Sequence, residues 1–328
     1  MGKSEELLKK FKDVAPPHKP DWGTRGVDFR VQAPWDIQEK FFISAAVVGA
    51  FVGKDQNPKQ PTLPEEVRDA FFAAIEAGAA GIHVHVRDRN EKPTDKAEIY
   101  HEVLDPIIAK YGDNVIIDGG TMTGNTFEQC MTPVTEGLFD MCIVNPTSGL
   151  LGDRLRAMRP ETMQAQAEYY DALGVRNVID VHEASSIWNA KRHLIDTGVL
   201  KPPFVWHLLP GLPGGMYAPN VRATWEGVTF LVDRIREIDP QSIIISSDAG
   251  RASVYGTTIN HLLGLHLRVG MEDVLYKYPH KNDLLESTTE AVREAMELGK
   301  MLGREPMTAK EFRKLARLNS RKASQLAA

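Results

Sequence analysis

Eight short β-rich runs, at 42–49, 80–86, 115–117, 141–144, 178–181, 204–209, 242–246 and 265–269, alternate with segments of helical period, and few folds accept that alternation. The helical segments lie at about 64–78, 96–111, 124–136, 160–173, 185–197, 220–237 and 253–263, and two more near 286–302 and 308–320 follow the last run. Strands that alternate with helices pair in parallel through right-handed crossovers. Eight such units in roughly 250 residues match a (β/α)8 TIM barrel, here with an N-terminal extension. An open doubly wound sheet is the alternative. The count of eight weighs against it, as does the lack of a Gly-x-Gly-x-x-Gly turn after the first run.

Residues 1–40 stand outside the alternation. A short helix is expected over 4–14 with Ser4 at its cap. The rest (Pro16, Pro17, Pro20, Trp22, Pro34, Trp35) has no regular period and reads as an arm packed on the domain or on another subunit. The barrel domain then occupies 41–328 with its C-terminal helices. Composition adds exclusions. A net charge of −5 gives no electrostatic case for nucleic acid or an anionic membrane. Cys130 and Cys142 form no Cys-x-x-Cys pair, which argues against a disulfide framework and against thiolate zinc. No apolar run approaches about 18 residues, and the charged start lacks the apolar core of a signal peptide. A soluble, cytoplasmic protein is the expectation.

Within the second run, His83 and His85 stand two apart among Ile82, Val84 and Val86. Residues i and i+2 of a strand share a face, so the two imidazoles lie together, and neutral imidazole is the commonest metal ligand. The bland alternative is two histidines satisfied by polar neighbours.

In a barrel, active groups gather where the strands finish. Every run here ends in polar, titratable or glycine-rich residues: Gly49 to Lys54, Asp118 to Thr121, Asn145 to Gly149, Asp180 to Glu183, the Pro210–Met216 loop, Ser246 to Arg251, and Arg268 to Asp273. A third ligand for the histidine pair is open by spacing among Asp180, Glu183, Asp248, Glu272 and Asp273. Glu272 would leave an open metal position for water or a substrate oxygen. Arg268 suits a substrate carboxylate or a salt bridge to Asp273 or Asp248. Asp273 would serve as a base toward a C–H made acidic by a polarised carbonyl. Gly214 and Gly215 allow close backbone approach and amide donors for an oxyanion or thioester, and also suit an ordinary tight loop.

Together, the segments Phe42–Gly49, Gly78–Asp88, Leu212–Met216 and Leu267–Asp273 resemble the signature segments of the β-keto acid cleavage enzymes, typified by 3-keto-5-aminohexanoate cleavage enzyme. The resemblance runs from about Ile43 to the C-terminus and leaves the arm outside. It implies a zinc-dependent barrel that condenses a β-keto acid with acetyl-CoA, releasing acetoacetate and a new CoA thioester. Carried over, His83, His85 and Glu272 ligate Zn2+, and Arg268 with Asp273 handles deprotonation. Such barrels are commonly homo-oligomers, so a dimer or tetramer is expected.

The substrate-contacting positions depart from the family's pattern. Phe51 stands where the type enzyme has the acid that binds the substrate's amino group, which suggests an apolar or quaternary-ammonium tail. Asp118-Gly119-Gly120-Thr121 replaces a substrate-binding Ser-Thr-Gly-Gly, with either Asp118 or Thr121 in the contacting place. Ile143 replaces a threonine and leaves Asn145 as the nearest polar group. Asp180 replaces a glutamate. The competing expectation is a metal-dependent hydrolase of the amidohydrolase type. It would recruit His182 and His207 as further ligands, but its His-x-His belongs on the first strand.

Overall fold

Staves and helices alternate through most of the chain, in a computed structural model that describes residues 2–14, 27–121 and 123–321. It forms two units, 1–37 and 38–328. In the first unit α1 (Lys3–Lys10) is capped by Gly2, whose N–H donates to Glu5 Oε2 at 3.1 Å. Ser4 therefore lies inside the helix, a correction to its expected capping role. Asp28 caps a 3-10 turn at Phe29–Val31. The proline-rich stretch 16–22 lies outside the described residues.

The second unit opens with β1 (Lys40–Phe41) and the first stave, β2 (Ile43–Ala46). It continues through α2 (Pro64–Glu76), β3 (Gly81–Val84), α3 (Ala97–Tyr111), β4 (Ile116–Gly119), α4 (Phe127–Thr135) and β5 (Met141–Val144). A hairpin of β6 (Gly149–Leu151) and β7 (Arg154–Arg156) then interrupts the alternation. After it come α5 (Pro160–Ala172), β8 (Arg176–Val181), α6 (Ala184–Ala190), β9 (Val205–Leu208) and α7 (Val221–Ile238). The chain ends through β10 (Ile243–Ser247), α8 (Ser253–Leu262), β11 (His266–Val269), α9 (Thr288–Met301), β12 (Glu305–Pro306) and α10 (Ala309–Ala316). Staves β2, β3, β4, β5, β8, β9, β10 and β11 close in that order into a parallel barrel. Each expected run overlaps one stave, though β4, β8 and β10 extend beyond the expected bounds. Thr126 accepts from the Gln129 N–H and starts α4 later than its pattern suggested.

Strand alternation divides the staves. Ile82, Val84, Ile117, Val144, Ile179 and Leu267 belong to the apolar layer that the helices cover. The opposite parity fills the interior, in two levels. The lower level is apolar: Phe42, Ile116, Met141, Val178, Val205 and Ile243 pack with Phe312 of α10, whose ring stacks on Phe42 at 4.0 Å between centroids. One step further along the same parity stand Ser44, His83, Asp118, Asp180, His207, Ser247 and Arg268, all buried. Register sets His83 beside Asp118, Asp180 beside His207 and Ser247 beside Arg268. The barrel thus carries a polar floor at its C-terminal face, above an apolar plug.

Candidate metal centre

His83 is the penultimate residue of β3, and His85 follows just past the strand's end, two residues on. The turn after β11 brings Glu272 across to them, because Gly270 holds φ at +145°, and a Cβ there would lie 2.1 Å from the Ala46 carbonyl oxygen. Among the described residues, His83, His85 and Glu272 form a group whose ligand atoms all lie within 4.8 Å of one another. Nε2 of each histidine stands 3.6 Å from Glu272 Oε1. Tetrahedral zinc with bonds of about 2.0–2.1 Å spaces its ligand atoms about 3.4 Å apart, so the gap suits the ion. Glu272 Oε2 is buried and, among the described residues, has no hydrogen-bond partner, an acceptor that a cation would satisfy. His83 Nδ1 meets Asp118 Oδ2 at 2.7 Å, which leaves Nε2 free to ligate. Gly49 keeps the carboxylate's space open, since a Cβ there would stand 2.6 Å from Glu272 Cγ. Two imidazoles and one carboxylate make a donor set that fits zinc and leaves a position open.

Burial, reinforced by the Arg268 charge, holds His83 well below the ordinary imidazole range. Burial and its neighbour His83 bring His85 down to about 3. Both rings are therefore in the neutral form that binds metals. Burial pushes the Glu272 carboxyl well above its ordinary value despite Arg268, with Asp273, Asp118 and Asp180 adding repulsion. A divalent cation reverses that balance.

Arg268 lines the cavity beside the triad. Its Nε and Nη2 hold the Asp273 carboxylate at 3.0 and 2.7 Å, and Nη2 reaches Glu272 Oε1 at 3.4 Å. Asp273 is buried and is not itself part of the lining. The cavity has a volume of about 810 Å3 including its open mouth. Phe51, Pro93, Ile143, Leu151 and Leu209 form its apolar walls, and Asn145, Asp180, His182, His207 and Arg156 its polar ones.

Asp180 is the hub of that polar wall. Its Oδ1 engages His207 Nδ1 at 2.7 Å and its Oδ2 engages His182 Nε2 at 2.8 Å, while Asn145 Nδ2 donates to Oδ2 as well. His207 Nε2 in turn meets the Ser247 hydroxyl. Burial works to raise the Asp180 carboxyl, but His182 and His207 hold it well below the usual carboxylate range.

The remaining expected contacts stand elsewhere. Asp118 is committed to His83 and to the Ser44 hydroxyl at 3.3 Å and lies outside the lining. Thr121 is buried against the Tyr170 hydroxyl at 2.5 Å, and Gly120 packs on the His85 ring, so Thr123 is the residue of that loop that reaches the cavity. Gly214 lies against the Leu150 carbonyl and Gly215 near His182, while the Gly152 N–H donates to the Pro213 oxygen at 2.6 Å. That loop therefore ties down the hairpin. Phe51 is in place at the mouth, 45% exposed. The histidines a hydrolase would need, His182 and His207, turn to Asp180 and do not join the triad.

Sequence patterns passed over Leu151 and Arg156, both carried by the hairpin. Their signal was available in Leu150-Leu151-Gly152-Asp153-Arg154-Leu155, where a Gly-Asp pair sits between short β-prone flanks.

The family model for beta-keto acid cleavage enzymes matches residues 40–318. A protein of Acetoanaerobium sticklandii named 3-keto-5-aminohexanoate cleavage enzyme is 29% identical over 278 residues, 84% of this chain and 98% of that one. A Rhizobium meliloti protein named 3-dehydrocarnitine:acetyl-CoA trimethylamine transferase is 25% identical over 313 residues, covering 88% of this chain and 100% of the relative. Among solved structures, the apo structure of ObcA superposes with a TM-score of 0.70 at 18% identity. That likeness is one of fold; it covers 80% of this chain and 66% of the neighbour.

Proposed function

The chain belongs to the family of β-keto acid cleavage enzymes, and on that premise we propose that it condenses a β-keto acid with acetyl-CoA, releasing acetoacetate and a new acyl-CoA, with zinc held by His83, His85 and Glu272. The observation that carries this reading is the open three-ligand group with Arg268 and Asp273 beside it. When bound, zinc supplies a Lewis acid toward the oxygens of the keto acid.

The side chains supply the rest. Asp273, held by the Nε and Nη2 of Arg268, accepts a proton from the carbon between the carboxylate and the ketone. That carbon attacks the thioester carbonyl of acetyl-CoA and the CoA thiolate leaves. The thiolate then adds to the original ketone and the carbon–carbon bond breaks. The new acyl-CoA departs, and the proton held by Asp273 returns to the carbon of acetoacetate. Atoms and charge balance without an oxidant or hydrolytic water. Asp180, tied to two histidines and Asn145, fixes the polar wall against which the substrate lies. Phe51 and Ile143 keep the other wall dry.

Zinc-loaded protein incubated with acetyl-CoA and a panel of β-keto acids should release acetoacetate from a subset of them, and His83→Ala should abolish the release. A protein that binds one zinc per chain yet forms no acetoacetate from any member would overturn the proposal.

A further inference from the structure

Among the described residues, two arginines line the cavity, and of these only Arg268 has a hydrogen-bond partner for its guanidinium. Arg268 is spent on Asp273 and Glu272. Arg156 closes β7, on the hairpin that folds against the loop after β9. Its Nε and Nη2 are buried and, among the described residues, have no hydrogen-bond partner. The carboxylate whose charge acts on it is Asp180, already committed to His182, His207 and Asn145. Two guanidinium nitrogens shielded from water and left unpaired are costly, and a planar oxyanion fills them with two parallel bonds. Leu151 and Leu209 line the same cavity and suit a hydrocarbon stem.

We propose that Arg156 is the specificity-determining residue of this site, taking a carboxylate at the far end of the keto acid, so that the preferred substrate is a β-keto diacid. This rests on the keto acid reading of the site and adds a second anchor to it. It also reverses what Phe51 alone suggested, because a quaternary-ammonium tail would meet an unpaired cation of like charge. The phosphates of CoA carry the same oxyanion chemistry. The choice of the keto acid follows from Arg156 sharing one cavity with the triad.

The test compares 3-oxoadipate with 3-oxohexanoate, alike at the keto acid end and differing by the terminal carboxylate. In the zinc-loaded protein kcat/KM should favour the diacid, and Arg156→Leu should reduce that preference about 50-fold, through KM, as expected for loss of a charge-assisted pair. Arg156→Lys should recover part of it. An equal preference in the two proteins, a preference for alkyl or quaternary tails, or a rise confined to the KM of acetyl-CoA would overturn the inference and leave the proposed reaction standing. If no keto acid turns over, the reaction fails instead, and calorimetry without acetyl-CoA still decides. Tighter binding of the diacid, lost in Arg156→Leu, sustains the inference; equal binding of the two acids ends it.

Discussion

The second nitrogen of His83 decides what the first can do. Bound to Asp118 through Nδ1, the ring is held in one tautomer with Nε2 presented to the cavity. Asp118 was expected as a substrate contact, and its distance from the lining moves its influence to the metal. Replacing Asp118 with Asn should weaken zinc retention about 10- to 100-fold in a chelator competition. The zinc-free protein should stay as stable, since burial already brings the Asp118 carboxyl up to about 6. Unchanged zinc affinity would mean that packing alone orients the ring. His83 and His85 were legible in the sequence because strand period places i and i+2 together. Glu272 was not singled out by spacing, because five acids competed and only the Gly270 turn settles which one arrives. Arg156 was illegible for a further reason: its importance lies in atoms left unpaired, which no pattern of residue types records.

Alternation at the level of elements was legible where helices open on a side-chain cap or a proline, as α2, α4, α5, α7, α9 and α10 do. What escaped were short pieces that local pattern barely specifies. The β6–β7 hairpin spans few residues and is stabilised from outside, by the Pro213 carbonyl and by Ser148, whose hydroxyl bonds both the N–H and the carbonyl of Met158. The helix expected over 185–197 is α6 followed by a π-helical turn at Lys191–Ile195, a change of pitch that hydrophobic period does not reveal. The last helix, by contrast, has a strong signature, with a Thr308–Glu311 capping box, but its task was hidden. It plugs the barrel's lower end: Phe312 is fully buried between the Phe42 and His266 rings. Truncating Phe312 to Ala should cost about 3–5 kcal/mol in denaturant unfolding. The proposed zinc site, on the other level of the barrel, should keep its affinity. A loss below about 1 kcal/mol would show that α10 merely covers the barrel.

Five buried acids stand at or just past the C-terminal ends of the staves, and the consequence is a stability that depends on pH. Asp118, Asp180, Asp248, Glu272 and Asp273 are all buried there. Histidines hold Asp180, Arg268 holds Asp273, and the proposed zinc would hold Glu272. Asp248 has only uncharged donors, Thr257 Oγ1 at 2.7 Å and Asn260 Nδ2 at 3.1 Å. Burial outweighs them and raises its carboxyl to about 8. An unfolded chain ionises the same group near 4, so the folded state binds the extra proton through the intervening range. The sign follows: the contribution is fully present below about pH 4, drains as pH rises, and is gone above about 8. Each pH unit within that window should remove up to roughly 1.4 kcal/mol. Asp248→Asn carries no such proton and keeps an acceptor for the Thr257 hydroxyl. Between pH 6 and pH 8.5 the wild-type unfolding free energy should therefore fall by about 2–3 kcal/mol more than that of the variant. Parallel curves for the two proteins would mean that Asp248 is ionised in the fold, and that a cation or water not drawn from these side chains accompanies it.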